Sequence, residues 1–245
     1  MKEKTNIIET FTEMAPRYEE VVNDELNRFW GWSYSAFINH LLQMTPIPKN
    51  GRMLDIATGT GVIPITVLSQ GLGEIRIHGL DITMSMLGRA RGKMAEKNLL
   101  DKAHLVCASA MEIPYVDDAF DLITCALATH HMDVNILLSE TYRVLRAGGL
   151  LSVADVGGSN LWRTKAVKTL LRIFAFLYFL FKENSRRAWA EAQAISNVRS
   201  QEEWFDLLTR NGYQQISITI LKSKSFWIPE PLVIQAEKFQ PGEVS

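Results

Sequence analysis

The chain of 245 residues is 47% hydrophobic, and its 26 basic and 27 acidic side chains leave a formal charge of −1. This length suits one α/β domain with appended elements, and 22% charged with 9% aromatic residues can bury a full core, which excludes disordered, collagen-like and mini-protein classes. The balanced charge argues against a general nucleic-acid surface, whose usual mark is a basic excess.

The first residues, MKEKTNIIETFTEM, mix charged and apolar side chains and lack the apolar core and cleavage site of a secretory signal, so a cytoplasmic location is the default expectation. Residues 1–48 read as a helical cover. From 52 to 156 short apolar runs alternate with helix-like segments, the pattern of stacked βαβ units around a parallel sheet. RMLDIA (52–57) reads as the first strand, followed by the helix VIPITVLSQ with Pro64 in its first turn and Gly71 past its end. EIRIHGLD (74–81) is a second strand that stops at an acid. A helix, TMSMLGRARGKMAEKN, leads to a third strand, HLVCASA, and AFDLITCALA (119–128) is a fourth. Asp133 can cap the helix NILLSETYRVLRA, and Gly148 and Gly149 turn the chain into a fifth strand, LLSVADV. The two cysteines, Cys107 and Cys125, sit in runs expected to be buried strands; no disulfide or metal site follows, and His130 with His131 cannot alone complete a coordination shell.

Beyond residue 157 the composition changes, and residues 158–197 read as a helical insert. Between 161 and 189 lie the apolar run IFAFLYFLF (173–181) and seven bases, Arg163, Lys165, Lys168, Arg172, Lys182, Arg186 and Arg187, against one acid, Glu183. The segment is too short and too charged to span a membrane. Its favoured reading is a lid over a pocket; a surface resting on an anionic membrane is compatible with that, and a homodimer contact through its aromatics is the third. Ser200 and Glu203 form a capping box, Gly212 ends that helix, and ISITILK and LVIQAEK close the sheet. The α/β core is therefore expected over 49–157 and 198–238, with seven strands.

The most informative stretch is Asp55-Ile-Ala57-Thr58-Gly59-Thr60-Gly61, between a predicted strand and a predicted helix. Glycines at this turn allow close backbone approach and aim helix N-terminal amides at a ligand. Asp81 follows Gly61 by 20 residues at the end of the second strand, where nucleotide-binding α/β folds place a carboxylate against the vicinal hydroxyls of a ribose. An adenosine-containing ligand is implied. A dinucleotide site wants a third glycine in the first helical turn, where Pro64 stands instead, and no Gly-Lys-Ser/Thr of a P-loop follows. Asp55, ahead of the first glycine, suits a ligand with a cationic amino group, as in adenosylmethionine, although an organiser of the loop is an equal reading.

LDIATGTG, GLDITMSML, ASAMEIPYVDDAFDLI and RVLRAGGLLSVAD resemble, in order and spacing, the motifs of class I S-adenosylmethionine-dependent methyltransferases over residues 50–156. The style is closest to the ubiquinone and menaquinone biosynthesis C-methyltransferases and related small-molecule enzymes. The resemblance implies a doubly wound α/β fold with a seven-stranded, mostly parallel sheet, order 3-2-1-4-5-7-6 with the last strand antiparallel, and S-adenosylmethionine as cofactor. It implies cofactor contacts from loop 57–61 and Asp55, from Asp81, Ile82 and Met86, and from Ala126. Where the family usually has an Asp, this chain has Ser109, so the adenine amino group is expected to meet Ser109 or the backbone of Ala110 and Met111. FTEMAPRY resembles the family's leading helix, with Tyr18 as its cofactor-touching tyrosine.

Methyl transfer from a sulfonium needs alignment and exclusion of water, with a general base as an aid. His130 and His131 follow the fourth strand at the ligand-binding edge of the sheet and are the candidates for that base, against the plainer reading of a helix cap or a packing residue. Asp155, ending the fifth strand, is expected in a solvated turn. The expected substrate is small and lipophilic or aromatic, with no nucleic acid and no metal. Two rival readings stay open: a nicotinamide-dependent oxidoreductase, and an adenosylmethionine-binding protein that regulates or catalyses another reaction.

Overall fold

The computed structural model describes residues 2–71, 74–158, 164–223 and 230–240. Helices α1 (Lys2–Met14), α2 (Tyr18–Phe29) and α3 (Tyr34–Met44) lead into β1 (Asn50–Ile56), α4 (Val62–Ser69), β2 (Glu74–Asp81), α5 (Met84–Glu96) and β3 (Ala103–Cys107). Then come β4 (Phe120–Ala126), α6 (Val134–Val144) and β5 (Leu145–Gly158). Helices α7 (Lys165–Lys182) and α8 (Ser185–Ala194) precede β6 (Arg199–Ser200), α9 (Gln201–Arg210), β7 (Tyr213–Ile220) and β8 (Pro231–Lys238).

The sheet runs β3-β2-β1-β4-β5-β8-β7, with β6 paired only to β5. Every pairing is parallel except those of β8, which is antiparallel to both β5 and β7. This is the expected order; β6, two residues long, is too short to leave a hydrophobic pattern and shifts the count by one. Strand β5 starts at Leu145, earlier than expected, because Leu145 already pairs with Phe120 ahead of a register shift. Cys125 is buried as expected, but Cys107 is exposed, since it ends β3 at the open edge of the sheet.

Apolar side chains on the two sheet faces build two cores. One joins Leu54, Leu80 and Phe120 to Leu137 and Leu138 of α6 and to Trp204 and Leu208 of α9. The other joins Met53, Ile77 and Leu122 to Phe37, Ile38 and Leu41 of α3, Val22 and Leu26 of α2, and Ile63 and Val67 of α4. Truncating a fully buried ring such as Phe37 to Ala should cost about 3–5 kcal/mol. The predicted caps form: the Asp133 side chain accepts from the amides of Asn135 and Ile136, and Ser200 with Glu203 closes a reciprocal capping box. Asp55, Asp81 and Asp155 all fall at the carboxyl ends of strands on one edge of the sheet, where ligands bind in this architecture.

Candidate functional site

The glycine loop is shaped by three left-handed residues, Ala57 (φ 53°), Gly59 (φ 54°) and Gly61 (φ 79°). A Cβ on Gly61 would lie 3.0 Å from the Ala90 Cβ, so only glycine lets the start of α4 pack this closely on α5. The Gly59 amide donates to Asp81 Oδ2 at 2.9 Å and the Thr83 amide to Asp81 Oδ1 at 2.8 Å, which fixes the carboxylate between the loop and α5. Burial raises the Asp81 pKa above the ordinary carboxylate value, and these amides pull against it.

Asp81 and Gly59 line a cavity of about 770 Å³ that opens at the carboxyl edge of the sheet. Ala57, Ile82, Met86, Ser109, Ala110, Met111, Ala126 and Tyr18 line it as well. The Met111 amide donates to Ser109 Oγ at 3.2 Å and the Glu112 amide to Ser109 O at 3.1 Å, which closes this segment of the wall into a turn. Four other predicted contacts stand behind the wall. Gly61 packs on α5, and Thr58 donates its amide to Leu80 O at 3.0 Å and accepts from the Gly61 amide at 2.9 Å. Thr60 hydrogen-bonds Glu19 of α2, which also pairs with Lys93 of α5, tying the first helices to the loop. Asp55 is buried and accepts from Thr124 Oγ1 at 2.7 Å across registered strands; burial raises its pKa to about 7. In this geometry Asp55 organises the loop, and its carboxylate does not reach the cavity wall.

A second cavity of about 440 Å³ lies under α7 and is largely apolar, with Val22, Leu26, Phe29, Phe174, Tyr178 and Phe179 among its walls. Phe11, Tyr18, Leu127 and His131 line both cavities and so form the partition between them. Leu127 takes a left-handed backbone (φ 53°) at that partition, a strained conformation for a branched apolar residue.

His130 faces the smaller cavity. Its Nδ1 lies 2.6 Å from Asp155 Oδ1, and its backbone amide donates to Asp155 Oδ2 at 3.2 Å. Thr129 Oγ1 and the Val156 amide donate to the same carboxylate. Asp155 is therefore a buried acceptor of four hydrogen bonds, which overturns the expected solvated turn. The reason is that the loop after β4 folds back over the end of β5. Burial works against charge on both partners, yet the pairing wins: the His130 pKa rises and that of Asp155 falls. His131 differs. Burial, aided by the neighbouring His130, holds its pKa well below the ordinary value, and its ring packs edge-on to Phe11 at 5.2 Å.

Several residues of this site carry no local mark in the sequence. Arg187 of α8 is 5% exposed, donates to Glu25 of α2 at 3.2 Å and pairs with Glu191 at 3.0 Å. Its guanidinium also stands 5.3 Å from the Phe179 ring and 5.9 Å from Phe11. Only the i,i+4 spacing of Arg187 and Glu191 could have suggested a pair. Outside the cavity, Arg17 pairs with Glu183, Lys182 with Asp24, and Arg186 with Glu9 and Glu13. Much of the basic excess of the insert is thus a clasp onto α1 and α2; Leu161 and Arg163 lie outside the described residues. His130, His131 and Glu191 offer ligand atoms within 4.8 Å of one another, but Arg187 sits on the same Glu191 oxygen and competes with any cation there.

A family model described as a methyltransferase domain matches residues 53–149. The ubiquinone/menaquinone biosynthesis C-methyltransferase UbiE of Geobacter sulfurreducens is 30% identical over 212 residues, which cover 85% of this chain and 80% of that protein. UbiE of Geotalea daltonii is 31% identical over 153 residues, 61% of this chain, and the match spans 62% of that relative's length. Among solved structures, the [4+2]-cyclase SpnF superposes with a TM-score of 0.72 at 15% identity, covering 95% of this chain and 96% of its own.

Proposed function

Because the chain belongs to the class I S-adenosylmethionine-dependent methyltransferases, we propose that it transfers a methyl group from S-adenosylmethionine to carbon or oxygen of a small lipophilic or aromatic acceptor. The nicotinamide reading of the glycine turn falls with that membership. The observation that carries the proposal is the pair of cavities, one edged by the glycine loop and Asp81 and one apolar, divided only by Phe11, Tyr18, Leu127 and His131.

The larger cavity suits the cofactor. Asp81, fixed by two amides, keeps free lone pairs for ribose hydroxyls, and the backbone of Ser109 to Met111 with Met86 offers an adenine-sized slot. The cofactor, when bound, supplies a methyl carbon already activated by positively charged sulfur. The protein's share is then to orient the acceptor, exclude water and take up a proton. The ring walls of the smaller cavity do the first two. For the third, an ionised Asp155 can only accept, so it selects the His130 tautomer with hydrogen on Nδ1 and leaves Nε2 as the base.

The test is turnover of isotopically methyl-labelled donor with lipophilic phenols and quinols. Labelled product with matching release of S-adenosylhomocysteine is expected. Binding of S-adenosylhomocysteine with no transfer to any acceptor would instead leave a cofactor-binding protein of another chemistry.

A further inference from the structure

Helix α7 has two apolar faces, and the cavity uses only one. Leu171, Ala175, Tyr178 and Phe179 face inward. Leu170, Ile173, Leu177, Leu180 and Phe181 face outward and are exposed, Phe181 at 88%. Their spacing of three and four residues aligns them as one stripe along three turns. Trp189 of α8, also exposed, stands edge-on to Phe176 at 5.0 Å and widens the stripe. A contiguous patch of this kind on a water-facing surface marks an interaction site.

The charges around the stripe select its occupant. Helix α7 carries Lys165, Lys168, Arg172 and Lys182 and no acid. Lys182 is spent on Asp24, and Lys168 donates to the carbonyls of Ser196 and Val198. Lys165 and Arg172 are exposed, lack an ion pair among the described residues, and, seven residues apart, share one flank of the helix between its inward face and the stripe. Leu, Ile and Phe flanked by unpaired bases, with an indole at the rim, match the chemistry of an anionic bilayer surface. Phe174 belongs to both faces, being 66% exposed while lining the smaller cavity, so the cavity mouth opens beside the stripe. No described helix is long and apolar enough to cross a membrane, so the helix would lie in the plane of the interface.

We infer that the outer stripe of α7, with Trp189, is a docking surface for an anionic lipid bilayer, from which a lipophilic acceptor enters the smaller cavity past Phe174. The route of the acceptor rests on the proposed function; the docking does not. The test is co-sedimentation of the full chain, without cofactor or acceptor, with vesicles of phosphatidylcholine alone and of phosphatidylcholine mixed with phosphatidylglycerol. Binding to the mixed vesicles is expected, weakened by salt and by Lys165→Glu with Arg172→Glu. Leu177→Ser with Phe181→Ser should lower partitioning roughly tenfold or more. These side chains are exposed, so thermal unfolding of the variants should match that of the parent chain. Absence of binding to either vesicle, or equal binding by the serine variant, overturns the inference. So does a dimer that the serine variant splits while vesicle binding stays unchanged. Vesicle binding without methyl transfer would leave the docking surface standing and remove the proposed function; turnover of a short soluble phenol without vesicle binding would do the reverse.

Discussion

Asp155→Asn is the substitution that asks most of the site. The carboxylate is 1% exposed and faces four donors: Thr129 Oγ1, the amides of His130 and Val156, and His130 Nδ1. An amide side chain keeps one oxygen, which can serve Val156 and His130 Nδ1. Its nitrogen then meets the Thr129 hydroxyl, which can rotate to accept, and the His130 amide, which cannot. One buried amide is left unsatisfied, at about 1–3 kcal/mol, and the charge-assisted bond to the imidazole is weakened to a neutral one at about 1 kcal/mol more. A total of about 2–4 kcal/mol corresponds to a fall in Tm of roughly 5–15 °C for a chain of this size. The pH window has a definite sign. His130, with its pKa raised, stabilises fully below the unfolded imidazole value and loses that contribution as pH rises through the folded value. Asp155, with its pKa lowered, stabilises above the unfolded carboxylate value and loses that as pH falls through the folded one. The deficit of the variant is therefore widest between about pH 4 and 6.5. In methyl transfer the plateau rate should drop about 100-fold or more and the acidic limb of the pH profile should move to lower pH, as a weaker base loses its proton earlier. Thermal unfolding across pH and a pH-rate profile check both parts. An unchanged Tm in that window, or an unchanged limb and plateau, would refute the reasoning.

Asp81→Ala should weaken S-adenosylhomocysteine binding about 100-fold by calorimetry, the worth of two charge-assisted hydrogen bonds, and unchanged affinity would remove the ribose assignment. Asp55→Asn should gain stability over the parent chain as pH rises from the unfolded value of 3.8 towards about 7, because the native state holds an extra proton in that range; a gap in urea midpoints that stays constant with pH would contradict this. Arg187→Ala should lower Tm by about 10 °C because it removes a buried guanidinium and strands the half-buried Glu25 and Glu191, whereas Arg186→Ala, breaking exposed pairs, should cost at most about 1 kcal/mol. Phe174→Ala should raise the acceptor KM several-fold with kcat little changed, while Phe176, which packs on Trp189 away from the cavity, should not affect KM.

What the sequence revealed is what short-range physics governs. Strands with a buried face leave apolar runs or alternation, so the parallel strands β1, β2 and β4 and the antiparallel β8 could be read almost to their ends. The spacing from Gly61 to Asp81 reflects one helix and one strand, and the structure brings the two ends of that unit together through the Gly59 amide. Contacts between distant segments left no such trace. Asp155 is desolvated by Thr129 and His130, and Arg187 by Met14 and Glu25, partners that only the tertiary path supplies. The left-handed backbones of Ala57 and Leu127 were equally hidden, since neither residue type announces a positive φ.

A fold shared with a [4+2]-cyclase cannot by itself decide the chemistry, which must come from the site. Here the distribution of charge narrows it. A sulfonium donor requires that the partition facing it carry no positive charge, and the titratable side chain on that wall beside Tyr18 is His131, kept neutral by burial. Arg187 is set back in the smaller cavity and matched by Glu25 and Glu191, Arg199 lines the larger cavity but not the partition, and His130 faces the smaller cavity with Asp155 on its Nδ1. Under the proposed function the two adjacent imidazoles, 4.3 Å apart, would divide the work: His131 would border the donor side, and His130, neutral with its hydrogen on Nδ1, would take the proton on the other. A regulator that merely held the cofactor would need neither the base nor its buried carboxylate. Under the proposed function, the cost of desolvating Asp155 to 1% exposure is offset by its orienting His130 to take the acceptor's proton.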